Sequence, residues 1–210
     1  MRFRSEPRGT VAQRCSGSRA SCPVSPDLVA VTWHVPTTER WTGARREIAT
    51  LDLRVLQLLV SSGPASEADL ARLFGKVPTP SLRRLEAAGL VQHRTGTWAA
   101  RRLEESFAVR GIVAFEAKIS DWVQAIHQAS ANRWFASESY VLVPAVPRRS
   151  TLLTQARRAG VGVWVEGENT PVLEAPSTID RQPMSFASWL FNEWAWLDAS
   201  MTQRPKRRTA

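Results

Sequence analysis

The sequence predicts an α/β protein: a mixed central sheet flanked by helices, with a separate helical unit set into the chain between two of the strands. Three observations lead there. Asp27–Trp33 and Val109–Lys118 are apolar, β-branched runs of strand length. Between them, residues 51–101 show three helical patterns closed by a strand–turn–strand pattern. Beyond residue 118, helical stretches alternate with short apolar strands, the alternation expected of an α/β core.

The elements follow in order. Residues 1–25 are rich in Arg, Ser, Gly and Pro and are expected to be poorly ordered and basic. Pro26 precedes the strand 27–33, and residues 34–49 are irregular apart from a short helix around Arg40–Ile48. Leu51–Val60 is an apolar helix that stops at Ser62-Gly63-Pro64. Ser66 caps a second helix carrying Leu70 and Leu73, which Gly75 ends. Thr79-Pro80 opens a third, with Leu82 and Leu85 inward and Gly89 as its stop. Leu90–His93 and Thr97–Ala100 flank the turn Arg94-Thr95-Gly96. After a polar linker, Arg101–Ser106, comes the strand ending at Lys118, then a helix from a Ser120 cap to about Ala136. Tyr140–Val143 and Val161–Val165 are strands on either side of a helix over 149–159, and Thr170–Leu173 hairpins back onto the second of them. Phe186, Trp189, Leu190, Trp194 and Leu197 recur at helical spacing, and disorder is expected from Thr202 on. The expected division is a core of 26–33 and 109–200, an insertion over 50–101, and loose ends over 1–25 and 201–210.

A chain of 210 residues with 43% hydrophobic and 22% charged side chains can bury a real core. Its net charge of +9 favours a polyanionic partner, usually nucleic acid, although much of it sits near the termini. No run approaches the ~20 apolar residues that span a bilayer, so no membrane partner is expected and a cytoplasmic location is. Cys15 and Cys22, the only cysteines, have a spacing that suits neither zinc nor a redox pair.

The chemistry is concentrated in Glu116-Ala117-Lys118 at the end of an apolar strand. Residues two apart in a strand share a face, so Glu116 and Lys118 point together. A salt bridge at the strand end is one reading. Asp27 offers another. If 27–33 and 110–116 are antiparallel neighbours, residue 27 lies opposite residue 116 and both acids meet at one end of the pair. Paired carboxylates repel unless a cation separates them, which makes Mg²⁺ or Mn²⁺ the natural third party. Lys118 beside that ion would orient or deprotonate an attacking water and steady charge on a phosphoryl group.

With these residues on the page, the chain resembles the PD-(D/E)xK nuclease superfamily, the restriction-endonuclease-like fold. Pro26-Asp27, Glu116-Ala117-Lys118 and the following helix and Tyr140-Val141-Leu142-Val143-Pro144 strand carry the likeness, over about residues 26–175. The three helices and hairpin of the insertion resemble a winged helix-turn-helix. The resemblance implies Asp27 and Glu116 as metal ligands, the Ala117 carbonyl as a further metal contact, Lys118 as the catalytic lysine, and Gln128 as a site residue on the next helix. Several branches place tyrosine four residues after that glutamine; here the position holds Asn132.

The implied function is metal-dependent hydrolysis of DNA, with the winged helix contacting the duplex through Arg83, Arg84 and Arg94. A solvated helix face is the plainer reading of the arginines. The alternative functions are a DNA-binding regulator or accessory protein with a vestigial core, and a protein-interaction module. Of the nine tryptophans, Trp189, Trp194 and Trp196 cluster on the last helix. They suit either homodimerisation or packing within the chain.

Overall fold

The structure, a computed structural model, describes residues 8–14, 26–75, 78–146, 151–177, 183 and 185–202. In chain order the elements are β1 (Arg8–Arg14), β2 (Leu28–His34), α1 (Val35–Thr38), a 3-10 turn (Gly43–Glu47), α2 (Thr50–Ser62), β3 (Ala65–Ser66), α3 (Glu67–Phe74), α4 (Pro78–Ala87), β4 (Val91–Arg94), β5 (Thr97–Ala100) and α5 (Leu103–Ser106). Then come β6 (Val109–Ala117), α6 (Trp122–Asn132), β7 (Glu138–Val143), α7 (Leu152–Ala159), β8 (Gly162–Val165) and α8 (Phe186–Thr202). The expected α/β class with a mixed sheet flanked by helices is observed. Residues 8–14, expected to be poorly ordered on composition, instead form a strand. The rest of 1–25, with both cysteines, and residues 203–210 lie outside the described residues.

The described chain divides into two compact units. One contains Trp33–Ala108 and the chain from Trp189; the other contains β6 to Ser188 together with the strand residues up to Thr32. The expected core of 26–33 and 109–200 and this division part company at Ser188, since the chain from Trp189 belongs with the first unit. No side chain of α8 from Phe186 to Ser200 is exposed, so its pattern does not say which core it joins.

In the first unit, Leu53, Leu56 and Leu59 of α2, Leu70 of α3, and Leu82 and Leu85 of α4 close a core with Leu90 and Val91. The pairs Ala65↔Trp98 and Ser66↔Thr97, with Val91↔Ala100 through Arg94↔Thr97, make β3-β5-β4 an antiparallel sheet. Thr95 and Gly96 both have positive φ (47° and 78°), which the two-residue hairpin turn between β4 and β5 requires. Ser66 caps α3 by accepting from the Asp69 N–H at 3.2 Å, as its position foretold.

Asp52 is fully buried and makes two attachments. Its Oδ2 accepts from the Ala49 N–H at 2.8 Å, tying down the start of α2. Its two oxygens also accept a forked pair of bonds from Arg84 Nε and Nη2 at 2.8 and 2.7 Å. Arg84→Ala leaves a buried carboxylate without its cation. The arginine side chain is 36% exposed, so water can enter in its place and moderate the loss. The expected destabilisation is about 2–3 kcal/mol in a urea titration.

From Trp189 on, helix α8 docks in the same unit. Trp189 is fully buried, donates from Nε1 to Gln57 Oε1 at 2.9 Å, and meets Phe107 edge-on at 4.9 Å. Asn192 Oδ1 accepts from the Ala108 N–H at 2.8 Å. Glu193 takes a 2.6 Å bond from Arg45, whose guanidinium lies 3.4 Å from the Trp41 ring centroid and also donates to the Ser106 carbonyl at 3.1 Å. Trp196 packs edge-on against Trp41 at 6.3 Å. Trp189 and Trp196 are therefore taken up by packing within the chain.

In the second unit, β6, β7 and β8 run parallel, with Val113↔Glu138 through Ala117↔Leu142 and Tyr140↔Gly162 through Val143↔Val165. Strand β2 lies on the other side of β6, and β1 beyond it. Three bonds fix the β2–β6 direction: His34 N–H to the Ala108 carbonyl, Thr32 Oγ1 to the Gly111 carbonyl, and Ala117 N–H to Asp27. Numbers rise along one strand as they fall along the other, so the pair is antiparallel. Side chains alternate between the faces of β6. Ile112, Ala114 and Glu116 are buried on one side; Phe115 joins Tyr140 and Trp164 in an aromatic cluster on the other. The main core packs Ala125, Ile126 and Ala129 of α6 with Val141, Val143, Leu152, Ala156, Val161 and Val163. Leu173 bridges back to Val163, the return expected of Thr170–Leu173.

Candidate active site: two carboxylates and a lysine at the end of β6

Antiparallel pairing carries Asp27, just before β2, to the last residues of β6. Ala117 N–H donates to Asp27 Oδ2 at 2.9 Å, so the backbone of the Glu-Ala-Lys segment itself orients that carboxylate. Glu116 is 3% exposed and Asn132, the last residue of α6, 5%. Asn132 Nδ2 donates to Glu116 Oε1 at 2.7 Å. The Asp27 carboxyl lies within hydrogen-bonding reach of Glu116, and Lys118 within the range of its charge.

Burial pushes the Glu116 carboxyl above its usual range, and the neighbouring Asp27 charge pushes the same way. The Asn132 amide and Lys118 oppose the shift without cancelling it. Two negative charges this close repel, and a cation between them relieves the repulsion. Asp27 is solvent-exposed, so the pair opens to water on one side and to the core on the other.

The structure thus brings Asp27, Glu116 and Lys118 together. Ala117 sits between the two latter residues, and its recorded contact to the site is the N–H bond to Asp27. Gln128 is not brought in. It is exposed, at the edge of the α6 face that buries Ala125, Ile126, Ala129 and Asn132. The residue that reaches Glu116 from α6 is Asn132, one turn further on. In the sequence Asn132 stands out only as a departure from the family pattern, and its separation of four from Gln128 is the available signal. Asp121, not Ser120, caps α6, accepting from the Gln124 N–H at 3.0 Å.

Among the described residues no group of three or more His, Cys, Asp or Glu side chains could hold a metal ion. The donor set at this site is smaller: two carboxylates with one side open to water. That suits Mg²⁺, which keeps several of its waters and is commonly held by one or two carboxylates.

The arginines of the first unit separate. Arg84 is bound in its fork to Asp52 and is not a free contact, which corrects its expected role. Arg83 and Arg94 are exposed. The exposed positions of α4 include Thr79, Pro80, Arg83, Glu86 and Ala87, so Arg83 is offset there by Glu86. Among residues whose side chains are described, acids slightly outnumber Lys and Arg; the excess positive charge belongs to the remaining positions, such as Arg148, Arg149, Arg204 and Lys206.

Comparison of the chain with protein-family models, with curated proteins and with solved structures returns no match. Among the described residues, no helix is long and apolar enough to cross a membrane.

Proposed function

We propose that this chain is a metal-dependent phosphodiester hydrolase acting on DNA, of the PD-(D/E)xK type, with a winged helix in its first unit. The observation that carries the reading is the meeting of Asp27 and Glu116, 89 positions apart in the chain (116 − 27), beside Lys118. Asp27 and Glu116 are the side chains that would hold Mg²⁺ or Mn²⁺, and a cation there would supply Lewis-acid polarisation of the phosphodiester. The Lys118 ammonium orients the attacking water and balances negative charge gained at the phosphoryl oxygens. Ala117, through its N–H, keeps Asp27 turned toward the site. The order helix–strand–helix–helix–strand–turn–strand over α2 to β5 supports the winged-helix reading of the first unit. Arg83 on α4 and Arg94 at the β4–β5 turn are then its phosphate contacts, without Arg84.

The test is cleavage of linear and supercoiled DNA by the purified full chain with Mg²⁺, Mn²⁺ or EDTA, beside Glu116→Gln. Cleavage that needs the cation and disappears in the variant is the expected result. Equal cleavage by the two proteins, or none by the native chain with either ion, overturns the proposal.

One observation favours a second reading, a DNA-binding accessory protein with a vestigial core. Glu116 is displaced toward its protonated form and already occupied by Asn132. Such a protein binds duplex DNA with a steep salt dependence and neither takes up a divalent ion nor cleaves.

A further inference from the structure

We propose that Asn132 is a positioning residue that holds Glu116 as a one-oxygen ligand and so selects Mg²⁺ or Mn²⁺ over Ca²⁺. The inference rests on the hydrolase reading, and it assigns a role on which that reading does not depend. The Asn132 amide engages Glu116 Oε1 at 2.7 Å inside the unit, where both residues are nearly free of solvent. Asn132 is itself anchored, because α6 packs Ala125, Ile126 and Ala129 into the core immediately before it. A carboxylate with one oxygen fixed by a buried donor cannot rotate freely to present both oxygens to an ion.

That restriction separates the two classes of cation. Ca²⁺ takes more oxygen ligands at longer distances and often chelates a carboxylate through both oxygens. Mg²⁺ takes fewer, in tighter octahedral geometry, and fills the remaining places with water. One oxygen of Glu116, the exposed Asp27 carboxylate and solvent therefore match the smaller ion. A purely structural role for Asn132, satisfying a buried acceptor, makes a different prediction: its loss weakens the site for both ions alike.

The experiment is calorimetric titration of the metal-free full chain with Mg²⁺ alone and with Ca²⁺ alone. It compares the native protein, Glu116→Gln, Asn132→Ala and the shape-conserving Asn132→Leu, each checked for cooperative thermal unfolding. Glu116→Gln is expected to weaken both ions. Asn132→Ala is expected to weaken Mg²⁺ by about tenfold or more, the scale on which outer partners of a ligand act, while leaving Ca²⁺ binding unchanged or stronger. Asn132→Leu, which lacks the donor and adds no ligand, shifts the preference toward Ca²⁺ in the same sense. Equal loss for both ions, or no change, overturns the assignment to Asn132 and leaves the hydrolase reading standing. Absence of any Glu116-dependent cation binding in the native protein overturns both.

Discussion

Lys118→Ala is expected to lower Mg²⁺-dependent DNA cleavage by about 10²–10⁴-fold, the range over which one positioned acid–base or electrostatic group contributes. Cation affinity should fall little or rise slightly, since the lysine is not a ligand in the proposed site and its positive charge opposes the ion. Lys118 follows the last residue of β6, half-buried, with its N–H bonded to the Leu142 carbonyl at 3.2 Å. That bond belongs to the backbone and survives the substitution, so the strand end keeps its geometry. Single-turnover cleavage alongside calorimetric cation titration checks the separation. Loss of both properties together would mean that Lys118 holds the carboxylates in place rather than serving the reaction.

The largest expected effect on stability belongs to Arg45. Its side chain is 1% exposed and that of its partner Glu193 7%. Among the described residues Arg45 Nε and Glu193 Oε2 have no hydrogen-bond partner, so the pair holds together through few contacts. Arg45→Ala strips Glu193 of its cation inside the core and removes the stack on Trp41, for an expected loss of about 3–5 kcal/mol. Burial raises the Glu193 carboxyl above its usual range, and Arg45 opposes that rise. A carboxyl whose folded pKa exceeds its unfolded one weakens folding as pH climbs through the unfolded value, with the full penalty above the folded value. Removing Arg45 raises the folded value further. The damage is therefore expected to be greatest at neutral pH and to shrink on acidification toward the unfolded carboxyl range. Replacing both partners together, as Arg45→Met with Glu193→Leu, should recover most of the loss. Urea titrations at two pH values measure both effects; a double substitution no better than the single would show that the pair is favourable in itself.

The turn at Thr95-Gly96, the Ser66 cap and the return of Leu173 onto Val163 are legible in the sequence because each is set by a few adjacent residues. The meeting of Asp27 with Glu116 is legible for a different reason: two apolar strands of matched length, paired antiparallel with their buried faces together, bring the two acids to one end. Arg84 was misread because its partner Asp52 lies a helix and more away, and nothing at positions 82–85 announces it. Gln128 is singled out in the sequence by the family resemblance alone; the apolar pattern of α6 does not choose between it and Asn132, since Val123 is 44% exposed while Ile126 is buried. Strand β1 was missed because Arg and Gly at its start read as loop composition, yet an edge strand tolerates both. The identity of any bound ion or partner depends on donors that converge only in three dimensions.

The chain visits the first unit between β2 and β6, and this has a consequence for synthesis. Asp27 leaves the ribosome long before either Glu116 or Asn132 exists. No nascent chain that stops short of α6 contains the whole cluster, and the strands that flank it must close an excursion of some 75 residues, for which the entropy cost grows only as the logarithm of length. Any reactivity this cluster possesses is thereby withheld from nascent chains that have not yet reached α6.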